Sequence, residues 1–230
     1  MKIDQRLELL NALYRLHDNF IGRFDLACAK GCALCCTTNV TITTLEGLRI
    51  VRFWAENQCP PPLHELTAAS QQPRFQPVMT INQLAAHCLQ GEKTSEDEAD
   101  PNVGRCPLLR EEQCSIYAVR PFGCRAMVSR THCRDEGAAQ MPDQVLSANN
   151  VMLQYIEAID IPGVTGNLVD LLLLFNNAAI RSSYEKGHGV ASAQKMAANR
   201  SIPAIMIDPA HRRYLEPLLM DIRKLFDLAG

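Results

Sequence analysis

Ala27-Cys28-Ala29-Lys30-Gly31-Cys32-Ala33-Leu34-Cys35-Cys36 places four thiols within nine residues. The gaps of three and two residues, followed by an adjacent pair, let a short loop turn around one centre. Gly31 suits the turn before Cys32, because glycine takes positive φ without steric penalty. Thiolate is the ligand form of cysteine, and soft sulfur donors select zinc, copper(I) or iron-sulfur clusters over magnesium or calcium. A disulfide between the neighbours Cys35 and Cys36 would be strained. If both bind metal, they serve different metals or different edges of one cluster.

A second block begins seventy residues on, with Arg105-Cys106-Pro107-Leu108-Leu109 and then Cys114, Cys124 and Cys133 at gaps of seven, nine and eight. These gaps lack the paired two-residue knuckles of zinc ribbons, a spacing that only Cys32 and Cys35 show, and wide gaps favour iron-sulfur. Six arginines, at 105, 110, 120, 125, 130 and 134, interleave with the sulfurs. A thiolate-ligated centre carries negative charge, and guanidinium groups such as Arg120 and Arg125 can offset it or hold an anionic substrate.

The rest of the chain bounds these readings. Of 230 residues, 47% are apolar, enough for a real core without disulfides, and a formal net charge of -2 gives no global pull toward nucleic acid or an anionic membrane. Ten cysteines would suit a secreted disulfide scaffold, but residues 1–20 lack the apolar stretch of a signal peptide, and the run Leu171 to Phe175 is far too short to span a bilayer. The expected setting is the reducing cytoplasm, where clustered cysteines mean metal or redox chemistry.

Periodicity predicts a mainly α fold, with a small cysteine-rich metal-binding region containing the short strands. Residues 1–26 form an amphipathic helix with the stripe Ile3, Leu7, Leu10, Tyr14, His17, Ile21 and Phe24, which packs on the body of the protein or on a second copy as a homodimer. Residues 27–134 form the cysteine-cluster region. Within it, Val40 to Ile42 reads as a strand and Thr43-x-x-Glu46 as a capping box opening a helix. The proline-rich stretch from Cys59 to Pro77 reads as loop, Thr80 to Leu89 as a short helix, and the charged stretch 92–100 as a solvated loop. Residues 135–230 form a helical region packing on this one, with helices from Val145 to Ile159, from Leu168 to Tyr184, and from Asp208-Pro209 to the end, where Pro217 either kinks the helix or begins it. Cys59 and Cys88 fall outside the blocks and read as small buried hydrophobes.

The block Cys28/Cys32/Cys35/Cys36, followed by RCPLLREEQCSIYAVRPFGCR at 105–125, resembles the bacterial CxxCxxCC family, the YkgJ-type cysteine cluster proteins described as a zinc- or iron-chelating domain. The matching features are Cys-Pro-Leu-Leu at Cys106, Cys-Ser-Ile-Tyr at Cys114 and Arg-Pro-x-x-Cys-Arg around Cys124. The first gap departs from the pattern, being three residues where the family name has two. By position, the resemblance implies metal ligands at Cys28, Cys32, Cys35, Cys36, Cys106, Cys114 and Cys124. Cys133 is a further candidate, and eight thiolates suffice for two four-cysteine sites. Flagellin lysine methylases carry a similar cysteine pattern, which implies that cluster proteins of this kind can support enzymes acting on a protein or peptide.

The function expected is therefore binding of an iron-sulfur cluster, 4Fe-4S in the favoured form, for redox, sensing or electron transfer, with a zinc-binding structural protein or a cluster-containing enzyme as alternatives. The three-and-two spacing of Cys28, Cys32 and Cys35 is also that of radical SAM enzymes, but the chain after Cys36 lacks the strand and helix alternation of a β/α barrel. With aromatics at 6%, stacking on nucleic acid has little to draw on. The sequence contains no Ser-His-Asp arrangement, P-loop or dinucleotide fingerprint.

Overall fold

A computed structural model of the chain describes residues 1–92, 103–190 and 195–229. The charged stretch expected as a solvated loop lies outside the described residues from position 93 onward. The elements run in the order α1 (Ile3–Ile21), β1 (Thr41–Thr43), α2 (Thr44–Glu56), α3 (Leu63–Ser70), α4 (Ile81–Leu89), β2 (Leu109–Arg110), β3 (Gln113–Cys114), α5 (Phe122–Ala126), α6 (Cys133–Glu136), α7 (Asp143–Ile159), β4 (Val164–Asn167), α8 (Leu168–Leu174), α9 (Ala178–Glu185), β5 (Met196–Ala198) and α10 (Arg212–Ala229). Single 3-10 turns occupy Tyr117–Val119 and Pro209–His211. The chain is mainly helical, as expected.

Two large apolar cores organise these elements, beside a small third cluster of Leu48, Phe175 and Tyr184. In the first, Leu10, Leu13, Tyr14 and Phe20 of α1 meet Val145, Ala148, Val151 and Met152 of α7 and Leu215, Leu218 and Ile222 of α10. The α1 stripe is thus covered inside the chain. His17 is fully buried on that face, its Nε2 2.8 Å from Asn149 Oδ1, and burial holds its pKa below the ordinary histidine value. The second core joins Ile42 of β1, Ile50 and Trp54 of α2, Leu66 of α3, and Leu168, Val169, Leu171 and Leu172 of α8 to Leu108 and Ile116 of the second cysteine block.

The strands differ from expectation in one respect. They are short, but they are not confined to the cysteine-bearing region: β1 pairs antiparallel with β4, which pairs with β5, in a three-stranded sheet whose register sets Thr41 opposite Asn167 and Val164 opposite Ala198. Four residues of β4 carry too little alternation to be seen as a strand by pattern alone. Two helical boundaries are also corrected. The segment 168–184 is two helices rather than one, because Asn177 accepts from the backbone N–H of Ala179 and of Ile180 and so starts α9 afresh. The proline-rich stretch from Cys59 to Pro77 contains a two-turn helix, α3, entered from Pro62, where proline tolerates the first turn. Pro217 lies inside α10, near its start.

Buried carboxyls tie the two cores together. The box read at Thr43 and Glu46 forms, with Glu46 N 3.3 Å from Thr43 Oγ1 and Thr43 N 2.8 Å from Glu46 Oε2. Asp160, just past the end of α7, accepts from Thr44 Oγ1 at 2.7 Å and Leu45 N at 3.1 Å at the head of α2, and from the Tyr184 hydroxyl. Gly163 passes so close to Asp160 and Thr44 that any Cβ there would collide with both side chains. Glu157 accepts from Ile81 N and Asn82 N at 3.0 and 3.1 Å, capping α4 from a distance of 75 residues in sequence. Desolvation raises both carboxyls, each to about 7.

Candidate metal centre

The first cysteine block is the loop between α1 and β1. Its turns are local: Cys32 N donates to Ala29 O at 3.1 Å, with Gly31 at φ 95° as the residue that lets the chain reverse, and Cys36 N donates to Ala33 O at 3.0 Å. The second block is pinned directly to it. Cys106 N donates to Cys36 O at 3.0 Å, Thr37 bridges Arg105, and Thr38 N donates to Gly104 O at 2.9 Å. Beyond Cys106 the β2–β3 hairpin turns through Glu111 and Glu112, both at positive φ, and returns Cys114 opposite Leu109.

Cys124 arrives on α5, and the sequence hid what fixes that helix. Glu46 is buried and, besides its capping role, accepts from Phe122 N at 2.6 Å and from the Tyr14 hydroxyl at 2.5 Å. One carboxyl therefore links α1, α2 and the start of α5. Gly123 lets α5 lie against β1, since a Cβ at that position would sit 3.1 Å from Thr41 O. Burial and then the Glu46 charge hold the Tyr14 phenol well above its usual value.

The outcome is that Cys28, Cys32, Cys35, Cys36, Cys106, Cys114 and Cys124 line one cavity of about 90 Å3, with Leu108, Ile116, Leu168 and Val40 among its apolar walls and Arg120, Tyr117 and Glu112 among its polar ones. Cys133 does not reach this cavity. It lines an adjoining open cleft of about 1010 Å3, with His132, Arg105, Arg134 and Asp135, and the cleft shares Gly31, Cys32, Cys36 and Glu112 with the cavity. All ten cysteines are free thiols. Among the described residues, no three His, Cys, Asp or Glu side chains close on a point in the manner of a single-ion site. The thiols surround a space instead.

Electrostatics differ around that space. Burial raises the Cys106 thiol to about 11 and pushes Cys114, Cys124 and Cys28 up as well. Cys35 is drawn below the ordinary thiol value, first by the hydrogen bond from Cys36 and also by the Arg120 charge, while the same contact pushes Cys36 up. Arg120 stacks over Tyr117 at 4.4 Å from the ring centre and faces the cavity.

Arg125, which the sequence paired with Arg120, is turned away. Its guanidinium bonds Asp18 of α1 at 3.0 Å and lies 4.5 Å over the Tyr14 ring, so it secures α5 to α1 and does not line the cavity. Arg105 is ion-paired with Glu112, and Arg110 with Glu65 at 2.8 Å. Cys59 and Cys88 are corrected too: both are exposed, away from the cavity and the cleft, rather than buried in a core. Cys59 follows the end of α2, where its backbone N–H bonds Trp54 O, and Cys88 lies on the outer face of α4. Glu46, Tyr117 and Gly123 are the site residues that sequence reasoning missed. Glu46 read only as a helix cap, and Tyr117 and Gly123 only as parts of the motifs around Cys114 and Cys124. Comparison of the chain with family models, with curated proteins and with solved structures finds no match.

Proposed function

We propose that this chain is a metal-binding protein that holds an iron-sulfur cluster, 4Fe-4S in the favoured form, through the thiolates around the cavity, and serves redox, sensing or electron transfer in the cytoplasm. The observation that carries the reading is the meeting of seven thiols, from segments seventy residues apart, on one cavity. Burial alone does not account for it, since Cys28, Cys32 and Cys35 are exposed and gain little as hydrophobes, whereas a cation offsets the mutual repulsion of thiolates gathered about it. The donor set fits the group. A cube-shaped cluster takes four thiolates at its corners, held apart around a space, whereas zinc draws its ligands onto one point at about 2.3 Å. A resemblance to the CxxCxxCC family agrees with either metal.

When bound, the cluster supplies one-electron chemistry. The chain's residues orient it: Cys106, Cys114 and Cys124 are set by the hairpin and by α5, and Arg120 places positive charge beside the sulfurs. The test is anaerobic purification without added metal, followed by absorption spectroscopy and assays for iron, acid-labile sulfide and zinc. Iron with sulfide is expected. Stoichiometric zinc without sulfide would overturn the choice of metal while leaving the ligands.

A second reading, an enzyme modifying a protein or peptide, has one observation in its favour. The open cleft of about 1010 Å3 shares Cys32 and Cys36 with the cavity, so a substrate chain seated there would lie against the centre.

A further inference from the structure

We propose that the outer face of α1, with the end of α10, is the interface of a symmetric dimer, in which two copies of this chain pair α1 antiparallel across a two-fold axis close to Ala12. The inference is independent of the metal-binding reading and goes beyond it in naming a partner.

The apolar stripe of α1 is spent inside the chain, on α7 and α10. What α1 leaves outside is a second face. Gln5, Glu8, Ala12 and Arg15 follow one another at spacings of three, four and three residues, which sets them in one line along the helix. α10 runs antiparallel beside it. Tyr214, near its start, packs on Phe20 and Phe24 with ring centres 5.9 and 6.1 Å apart, while Leu225 and Leu228, near its end, stand with Gln5 and Glu8. Between the two helices lies a surface groove of about 350 Å3, lined by these residues and Leu9. Leu228 at its edge is 88% exposed, the highest value for a large apolar side chain among the described residues.

Charge indicates what covers the groove. Glu8 and Arg15 are exposed, and neither is ion-paired among the described residues. They stand on either side of a midpoint between Asn11 and Ala12. Turning a second copy about a two-fold axis through that point sets Glu8 against the partner's Arg15, and Arg15 against the partner's Glu8. The face is therefore its own complement. Parallel pairing would instead set glutamate on glutamate and arginine on arginine. Ala12, at the crossing point, carries only a methyl group and lets the two helix axes come close. The same rotation draws the second copy over Leu228, at the Glu8 end of the groove, and takes an exposed leucine out of water. Neither the cavity nor the cleft shares a residue with this groove, so each copy keeps its thiols clear of the interface.

The experiment is sedimentation velocity on the full-length chain over a concentration series, at low and at high salt. The wild type is expected to associate to a dimer, and more weakly at high salt, which screens exposed charges. Glu8→Arg and Arg15→Glu should each weaken the dimer about tenfold or more, since each places two like-charge pairs in the interface. Both changes in one chain return opposite charges to both contacts and should restore the dimer. An equimolar mixture of the two single variants should do the same, as a heterodimer. A wild type that is monomeric at every concentration overturns the proposal, and so does a double variant that fails to associate while the wild type does. Both positions are exposed on α1, and recovery in the mixture shows that each single variant is folded.

Discussion

The two arginines that the sequence treated alike differ at the level of single contacts. Arg120 faces the thiols, and Arg125 is spent on Asp18 and Tyr14. Arg120→Ala should therefore lower the reduction potential of the centre, because removing a nearby positive charge disfavours the more negative reduced state. Arg125→Ala should leave the potential unchanged and lower stability by about 1 kcal/mol through the lost ion pair and ring contact. Voltammetry alongside a urea melt separates the two. Among the cysteines, Cys106→Ala and Cys124→Ala should abolish metal in the cavity, whereas Cys59→Ala and Cys88→Ala, exposed and remote, should leave the metal count as it is. Retention of full metal by Cys124→Ala would remove α5 from the site.

At the scale of elements, helix starts are held by carboxyls from elsewhere in the chain. Glu157 caps α4 and has its pKa raised to about 7, chiefly by burial. In the unfolded chain it titrates near 4.3. Between those values the folded state binds a proton that the unfolded state does not, so this group's contribution to stability falls as pH rises from about 4 to about 7. Glu157→Gln, neutral at every pH, should remove that dependence. The stability of the wild type relative to this variant should decline by roughly 1–3 kcal/mol between pH 5 and pH 8, measured by chemical denaturation. A flat difference would show the carboxyl ionised throughout. Gly163→Ala should cost more than 2 kcal/mol, since its methyl group collides with the Thr44 and Asp160 side chains that hold the head of α2. Thermal melts would check this.

For the whole molecule, the cavity sits on the second core and owes its shape to backbone contacts between two loops, whereas α1, α7 and α10 pack in the first core, which Leu45 and Phe122 join from the cavity side. Removing the metal should therefore loosen the molecule unevenly. Hydrogen exchange is expected to rise in residues 27–38 and 104–125 while the α1–α7–α10 core keeps its protection. Uniform exchange with and without metal would make the centre peripheral to folding.

What the sequence determined by itself was local. Thiol density between Cys28 and Cys36, the capping box at Thr43, the apolar stripe of α1 and the period of α7 are short-range signals, and each reappears in the structure because helical caps and faces are set within a few residues. Tertiary structure alone decided the pairing of β1 with β4, the second task of Glu46, the opposite directions of Arg120 and Arg125, and the exclusion of Cys133 from the cavity. Each of these depends on partners tens of residues away. A side chain's spacing states which neighbours it has along the chain. Which charge it answers, and which cavity it enters, is settled by burial and by contacts that only folding brings together.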